Sequence, residues 1–167
     1  MPLFIQTPSF VIRDFKPEEQ DLFVNIFDDE RVIVHLPRRS RKELIDLFQS
    51  ALKDYASGSP LGRWGIFNNG DGDFIGFCLL RRYEKEPGKI ELGYVLHQKY
   101  WGKGIASDMA RIMVAQGFKN KDVGELVAVT TLGNTGSQKV LLKAGMTRMP
   151  DFRRDGENLA FFSIKRE

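Results

Sequence analysis

The stretch that decides the fold runs from residue 90 to residue 107 and reads Ile90-Glu-Leu-Gly-Tyr-Val-Leu-His-Gln-Lys-Tyr-Trp-Gly-Lys-Gly-Ile-Ala-Ser107. Its first half is apolar and aromatic, as in a β-strand, and apolar residues recur at helical spacing from Ile105 onward. Between them, Gly102 and Gly104 allow a bend with positive φ and close approach to a ligand. The first amides of the following helix lack internal partners and favour an anion. The stretch predicts a phosphate cradle; a tight turn without a ligand is the alternative.

The flanking sequence predicts the order β-α-α-β-β-β-α-β-α-β. Ser40, with Glu43 three residues later, is typical of a helix N-terminus. Gly145 can end the last helix in a left-handed conformation. We therefore expect an α/β (α+β) fold with a mostly antiparallel sheet and one parallel crossover. The predicted strands are 10–13, 63–67, 74–82, 89–96, 126–131 and 158–165, and the predicted helices are 16–30, 40–57, 105–119 and 137–144.

Length and composition restrict the class of protein. The chain has 167 residues, of which 42% are apolar and 28% charged, and this predicts a single domain over residues 1–167. The net charge of +3 argues against a dedicated nucleic-acid binder. One cysteine and two histidines exclude an internal disulfide and make a metal site improbable. No stretch approaches the ~18 apolar residues of a membrane helix. We expect a cytoplasmic protein without metal and without a membrane or nucleic-acid partner.

Two nucleotide motifs are compared with the glycine turn and set aside. Gly102-Lys-Gly104-Ile-Ala-Ser107 is one residue short of the dinucleotide fingerprint Gly-x-Gly-x-x-Gly/Ala. That fingerprint also needs an acidic residue at the end of the next strand, where this chain has Thr130 and Thr131. The Walker pattern Gly-x4-Gly-Lys-Ser/Thr is absent from the sequence. A nicotinamide-dependent oxidoreductase is therefore disfavoured.

The remaining motifs resemble the GNAT superfamily of N-acetyltransferases, in particular the ribosomal-protein-alanine and spermidine acetyltransferase subgroup. Lys99-Tyr-Trp-Gly102-Lys-Gly104 is similar to the family's Arg/Gln-x-x-Gly-x-Gly/Ala, with lysine at the first position. Asn134-Thr-Gly-Ser137 followed by Lys143-Ala-Gly145-Met146 resembles a second signature, with methionine in place of phenylalanine. The resemblance covers nearly the whole chain and implies a sheet that is splayed at its central strand.

The resemblance also implies how acetyl-coenzyme A would bind as co-substrate. Gly93 is a candidate bulge residue in the central strand. Backbone groups of Tyr94, Val95 and Leu96 would pair with the pantetheine arm, and Asn134 would hydrogen-bond its amides. Lys99 and Lys103 would add positive charge near the phosphates. The backbone amides expected to hold the pyrophosphate are those of Trp101, Gly102, Lys103, Gly104, Ile105, Ala106 and Ser107.

Acetyl transfer to an amine needs a proton acceptor and a donor to the carbonyl oxygen. Glu91 matches an acidic position of the subgroup and is the candidate base, directly or through a water; a strand glutamate paired with a lysine is the alternative. The Leu96 amide is the implied donor. Ser137 is a candidate near the thiol, with a helix cap as the alternative. The family's proton-donating tyrosine corresponds to Leu141, so another group must supply that proton.

The expected reaction is direct attack by a primary amine in a ternary complex. The acceptor is a protein N-terminus, a polyamine or an aminated small molecule, entering beside the first two helices and the loop at residues 84–88. The acidic run 28–30 could attract a cationic acceptor, although a solvated helix end is the simpler interpretation. The protein is expected to be a monomer or a homodimer. A non-catalytic coenzyme A sensor or docking module of the same fold is the second hypothesis.

Overall fold

The computed structural model describes residues 2–84 and 86–167, so Lys85, in the predicted loop 84–88, lies outside the described residues. By its internal contacts the chain divides into two compact units. Unit 1 comprises the residues up to Leu79 together with Tyr94–Ile105, and unit 2 comprises Leu80–Gly93 together with Ala106–Glu167. The prediction of one domain over residues 1–167 stays a prediction.

Unit 1 contains three strands, β1 (Phe4–Gln6), β2 (Phe10–Arg13) and β3 (Gly62–Asn68), which pair antiparallel in sequence order. Its helices are α1 (Gln20–Asn25), α2 (Glu30–Ile33) and α3 (Arg41–Ser57), with short 3-10 turns before and after α1. Strands β4 (Phe74–Arg82) and β5 (Lys89–Leu96) contribute residues to both units.

Helix α3 begins and ends as the sequence predicts. The Ser40 hydroxyl oxygen accepts a bond from the Glu43 amide at 3.1 Å, and the Glu43 carboxylate accepts one from the Ser40 amide at 2.9 Å. This reciprocal pair satisfies two amides that have no partner inside the helix. Gly58 ends the helix with φ of 72°, a conformation that a side chain would disfavour.

The core of unit 1 is aromatic. The ring centroids of Phe23 and Phe77 lie 4.8 Å apart, and those of Phe15 and Phe48 lie 5.3 Å apart, within the range of favourable ring contacts. Helix α3 contributes its apolar face to this core, because Leu44 and Phe48 are both buried. The core therefore fixes the helices of unit 1 by packing.

Unit 2 contains helix α4 (Ile105–Phe118) apart from its first residue, strand β6 (Glu125–Thr131), helix α5 (Thr135–Lys143) and strands β7 (Thr147–Arg154) and β8 (Glu157–Lys165). Strand β8 pairs antiparallel with both β6 and β7. Within this unit α4 packs closely, since a methyl group on Gly117 would lie 3.0 Å from Ile90 and from Leu126.

The eight strands form a mixed sheet in the order β1-β2-β3-β4-β5-β6-β8-β7. Strand β5 pairs in parallel with β6, and every other pairing described by register is antiparallel. The parallel register runs from Lys89↔Glu125 to Glu91↔Val127, whereas β5 continues to Leu96 and β6 to Thr131. In the described part of these strands the pairing ends before Gly93. This confirms the predicted α/β fold, mostly antiparallel and splayed at the central strand.

Several local expectations differ from the structure. Strand β7 is missing from the sequence prediction because Pro150 lies in its middle; β7 is an edge strand, and a register irregularity between Met149 and Phe152 accommodates the proline. The helix predicted over 16–30 is instead divided into α1, two 3-10 turns and the start of α2. Strand β1 was also not predicted, because three residues are too short for a clear alternation.

Candidate active site

The glycine turn, defined as Trp101–Gly104, follows the end of β5 and a 3-10 turn at Gln98–Tyr100, and leads into α4. Gly102 and Gly104 adopt φ of 72° and 81°, and a Cβ placed on either would meet open space. All four residues of the turn are exposed. Both glycines are therefore required by backbone conformation, and the space beside them is open to a ligand.

Trp101 makes two hydrogen bonds within unit 1 that the sequence does not predict. Its backbone amide donates to the Gln98 carbonyl at 3.0 Å, so this single N–H is already used in the 3-10 turn. Its indole N–H donates to the Leu96 carbonyl, also at 3.0 Å, and ties the glycine turn to the end of β5. Trp101 therefore holds the turn in place, and a row of amides that binds a ligand would begin at Gly102.

Gly76 lies opposite the end of β5, and the sequence interpretation overlooked it. A Cβ on Gly76 would lie 2.0 Å from the Val95 carbonyl oxygen and 2.8 Å from the Leu96 Cα, so any side chain would displace this backbone. The bulge at Gly93 on β5 stays a prediction, and the close approach at Gly76 on β4 is a separate feature. A glycine inside the apolar strand Phe74–Arg82 is the signal that could have identified it.

The Glu91 cluster, defined as Glu91, Arg81 and Arg154, lies within unit 2. Glu91 is only 4% exposed. Its Oε1 accepts from Arg154 Nη2 at 3.0 Å, and its Oε2 accepts from Arg81 Nη2 at 2.9 Å and from Arg154 Nη1 at 3.4 Å. The alternative prediction, that Glu91 pairs with a lysine, is therefore wrong, because two guanidinium groups hold the carboxylate. Protonating Glu91 would weaken these charge-assisted bonds.

Asn134 and Ser137 lie together at the start of α5. The Asn134 side-chain oxygen accepts a bond from the Ser137 amide at 3.1 Å. Asn134 therefore caps the helix and Ser137 lies inside its first turn, so the alternative interpretation of Ser137 as the helix cap is wrong. Leu141, at the position of the family tyrosine, is 2% exposed and belongs to the packed interior of unit 2.

Two lysines flank the glycine turn. Lys99 Nζ lies 2.5 Å from Asp73 Oδ2, and the hydroxyl of Tyr100 donates to the same oxygen at 2.7 Å. The hydrogen bond from Lys99, and then that from Tyr100, lowers the pKa of Asp73. Lys103 is exposed. Lys99 is thus paired with a carboxylate, whereas Lys103 is exposed.

Other reactive residues fit the simpler interpretation. Cys78 is fully buried, and burial raises the pKa of its thiol, so it is a core residue. Partial burial, and then the charge of Lys99, lowers the pKa of His97, whose ring packs edge-on against Phe74. Among residues 2–84 and 86–167, no group of three His, Cys, Asp or Glu is placed to hold a metal ion. None of the helices described there is long and apolar enough to cross a membrane.

Comparison with known proteins identifies the family. The family model described as an acetyltransferase (GNAT) domain matches residues 9–147. The chain belongs to the GNAT acetyltransferase family, and it is an acetyltransferase. The resemblance seen in the glycine turn and in the Asn134 segment is thereby confirmed at the level of the family, whose acetyl donor is acetyl-coenzyme A.

GNAT relatives are similar over most of their length. An uncharacterized N-acetyltransferase, p20, of Bacillus licheniformis is 25% identical over 82% of this chain and 78% of the relative. A ribosomal-protein-alanine acetyltransferase from Vibrio fischeri has a TM-score of 0.82 at 17% identity, covering 98% of this chain and 96% of its own. RimL, a ribosomal alpha-N-protein acetyltransferase solved in complex with coenzyme A, has a TM-score of 0.78 at 15% identity, with 98% of each chain covered. These two solved structures establish the fold.

Proposed function

We propose that this chain transfers the acetyl group of acetyl-coenzyme A to a primary amine by direct attack in a ternary complex. The observation that carries the proposal is the exposed glycine turn, whose two left-handed glycines lead directly into α4 in a chain of the GNAT family. Bound acetyl-coenzyme A would supply an activated thioester, and the chain would supply binding, orientation and handling of the amine's proton.

The glycine turn and the start of α4 have the space and the free amides that a pyrophosphate group needs. Gly102 and Gly104 leave open space where side chains would stand, and the amides at the start of α4 have no partner inside the helix. We propose that the amides of Gly102, Lys103, Gly104, Ile105, Ala106 and Ser107 bind the pyrophosphate. A helix N-terminus favours negative charge, which adds to the effect of the amides themselves.

The pantetheine arm would pair with backbone groups of Tyr94, Val95 and Leu96. The Leu96 carbonyl already accepts the Trp101 indole N–H. We propose the Leu96 amide as the donor to the acetyl carbonyl oxygen, because a backbone N–H can stabilise the charge that develops there. Asn134 uses its side-chain oxygen as a helix cap, which leaves its NH2 group as the proposed donor to a pantetheine amide. Ser137 stays a proposed proton donor near the thiol.

Glu91 has two proposed roles that one variant separates. Its buried carboxylate, held by two guanidinium groups, favours an electrostatic role near the reacting amine, because accepting a proton would weaken the ion pairs. Proton acceptance remains the prediction made from the sequence. Glu91→Gln keeps the shape of the side chain, so a base role predicts a drop of about 100-fold in kcat.

The proposed class of acceptor depends on the ion pairs made by the carboxylates of residues 28–30. Asp29 caps α2 and pairs with Arg31 at 3.0 Å, and Glu30 pairs with Arg38 at 3.3 Å. These pairings offset the charge that would attract a polyamine. The names of the two solved neighbours, both acetyltransferases of ribosomal proteins, support a protein N-terminal amine as the first acceptor to test. We further propose a cytoplasmic monomer or homodimer without a nucleic-acid partner.

A coenzyme A sensor or docking module of the same fold is the second candidate. The observation that favours it is Leu141, because an apolar side chain buried in unit 2 stands where the family carries its proton-donating tyrosine. Such a module would bind coenzyme A without turnover.

A thiol-release assay tests the proposal directly. The wild-type chain is incubated with acetyl-coenzyme A and, separately, with peptides bearing free N-termini, polyamines and aminated small molecules. We expect release of coenzyme A with at least one amine and acetylation of that amine by mass spectrometry. Glu91→Gln is assayed beside Glu157→Gln, a matched variant of the exposed glutamate that begins β8. Binding of coenzyme A with no turnover on any amine would establish the sensor instead.

A further inference from the structure

The two lysines beside the glycine turn differ in their partners within unit 1. Lys99 Nζ lies 2.5 Å from Asp73 Oδ2, and this hydrogen bond raises the pKa of the lysine. Lys103 is exposed and has no carboxylate within 4.0 Å among residues 2–84 and 86–167. A carboxylate this close offsets most of the field of Lys99, whereas the charge of Lys103 is available to a ligand.

Asp73 also binds the residue that precedes the glycine turn. The Tyr100 hydroxyl donates to Asp73 Oδ2 at 2.7 Å, and the Asn68 side-chain amide donates to the Tyr100 hydroxyl at 3.4 Å. Tyr100 is only 8% exposed, so its ring is held by its surroundings as well as by these bonds. Asp73 is itself fixed, since its amide donates to Asp71 Oδ1 at 2.9 Å and its carbonyl accepts from the Asn68 amide at 2.8 Å.

These contacts connect the turn between β3 and β4 to the glycine turn. The ring of Tyr100 also lies near both ammonium groups, with its centroid 5.3 Å from Lys99 Nζ and 5.8 Å from Lys103 Nζ. The position of the Tyr100 ring therefore influences where Lys103 places its charge.

We propose that Asp73 and Tyr100 form a brace that positions the glycine turn, that Lys99 serves as the counter-ion of Asp73, and that Lys103 is the lysine that binds a phosphate of acetyl-coenzyme A. The inference rests on the proposed function, because it assigns parts to the residues around the proposed phosphate site. Asp73 and Tyr100 are positioning residues, whereas Lys99 only pairs with Asp73, although its sequence position suggests a phosphate ligand.

The two lysines are tested by calorimetric titration with coenzyme A and by competition of pantetheine, which has no phosphate, against it. We expect Lys103→Met to weaken the affinity for coenzyme A about tenfold, the effect of one charge-assisted hydrogen bond, and to leave pantetheine unchanged. We expect Lys99→Met to change either affinity less than about twofold. Lys53→Met, on the exposed face of α3, is the control for net charge. Added salt should weaken coenzyme A binding less in Lys103→Met than in Lys99→Met.

The brace is tested by Asp73→Ala, which removes the acceptor of both bonds, beside Asp73→Asn, which keeps an oxygen for the Tyr100 hydroxyl. We expect Asp73→Ala to weaken coenzyme A several-fold, to leave pantetheine unchanged and to be largely rescued in Asp73→Asn. A merely structural role would lower the thermal unfolding temperature and leave the ratio of the two affinities unchanged, which would overturn the brace.

A separate result would contradict the assignment of the two lysines. If Lys99→Met weakens coenzyme A as much as Lys103→Met while wild-type binding is intact, the inference fails and the proposed function stands. If the wild-type chain binds neither coenzyme A nor acetyl-coenzyme A, both fail together.

Discussion

The glycine turn and the Glu91 cluster are organised in opposite ways. The glycine turn is exposed and short, and its shape comes from two glycines with positive φ and from bonds to neighbours such as Leu96 and Gln98. The Glu91 cluster is buried and joins residues as distant in sequence as Glu91 and Arg154, 63 positions apart. A local turn can be identified from its own residues, whereas the environment of Glu91 depends on which distant side chains the fold brings to it.

The largest expected effect is that of Gly76→Ala, because the added Cβ would lie 2.0 Å from the Val95 oxygen and the backbone at the end of β5 would have to move. We expect a loss of activity of more than about 100-fold or a destabilisation of about 3 kcal/mol, at the upper end for overpacking. Gly70→Ala, whose Cβ meets only the Asn68 side chain at 3.5 Å, is the control. Chemical denaturation and steady-state kinetics measure both. A fully active, stable Gly76→Ala would show that this close approach has no functional importance.

Glu91→Ala tests the buried cluster by removing the partner of two guanidinium groups. We expect a destabilisation of about 2 kcal/mol, less than for a fully buried pair because the Arg81 side chain is 43% exposed. Glu91→Gln should cost less, since its oxygen still accepts a hydrogen bond. Urea denaturation measures the free energy of unfolding, with Glu157→Ala as a surface control. Equal stability of Glu91→Ala and wild type would mean that the two regions do not differ as described.

Gly104→Val tests the glycine turn by placing a β-branched side chain at φ of 81°. We expect about 1–3 kcal/mol of local strain, released by a change of turn conformation that weakens coenzyme A binding about tenfold. Gly58→Val is the matched variant, because it introduces similar strain at φ of 72° where α3 ends. Calorimetry should show weaker binding in the first variant alone. Equal affinities in both would separate the turn from the phosphate site.

The smallest expected effect is the loss of the stability contributed by Asp73 at acidic pH. The hydrogen bond from Lys99, and then that from Tyr100, lowers the pKa of Asp73 in the folded chain. A lowered pKa contributes stability that is present above the unfolded value of about 3.9 and is lost as pH falls through the folded value. The free energy of unfolding should therefore fall below about pH 4 more steeply in wild type than in Asp73→Asn. Parallel acid limbs for the two proteins would contradict this contribution.

Much of the fold could be predicted because its signals are local. Strands 10–13, 74–82 and 89–96 have the predicted bounds, and Ser40 caps α3 with Glu43 as expected. Strand β7 could not be predicted in this way, because a proline in a strand is tolerated only when the strand lies at an edge with a register irregularity. Whether a strand is an edge strand depends on pairing with residues far away in the chain.

The candidate site likewise has features that the sequence predicts and features that depend on distant residues. The positive φ of Gly102 and Gly104 follows from the sequence, because few other residues adopt that conformation at low cost. The partner of Lys99, the use of the Trp101 amide and the close approach at Gly76 were not predictable, since each depends on residues brought together by folding.

The sequence by itself determined the family, the order of the central elements and the glycine turn, because backbone conformation and helix capping depend on residues a few positions apart. Only the tertiary structure decided that Glu91 is held by Arg81 and Arg154 instead of a lysine, that Lys99 is neutralised by Asp73, and that Gly76 admits no side chain. The physical reason is that burial and ion pairing join residues distant in the chain, and their geometry exists only once the strands have paired.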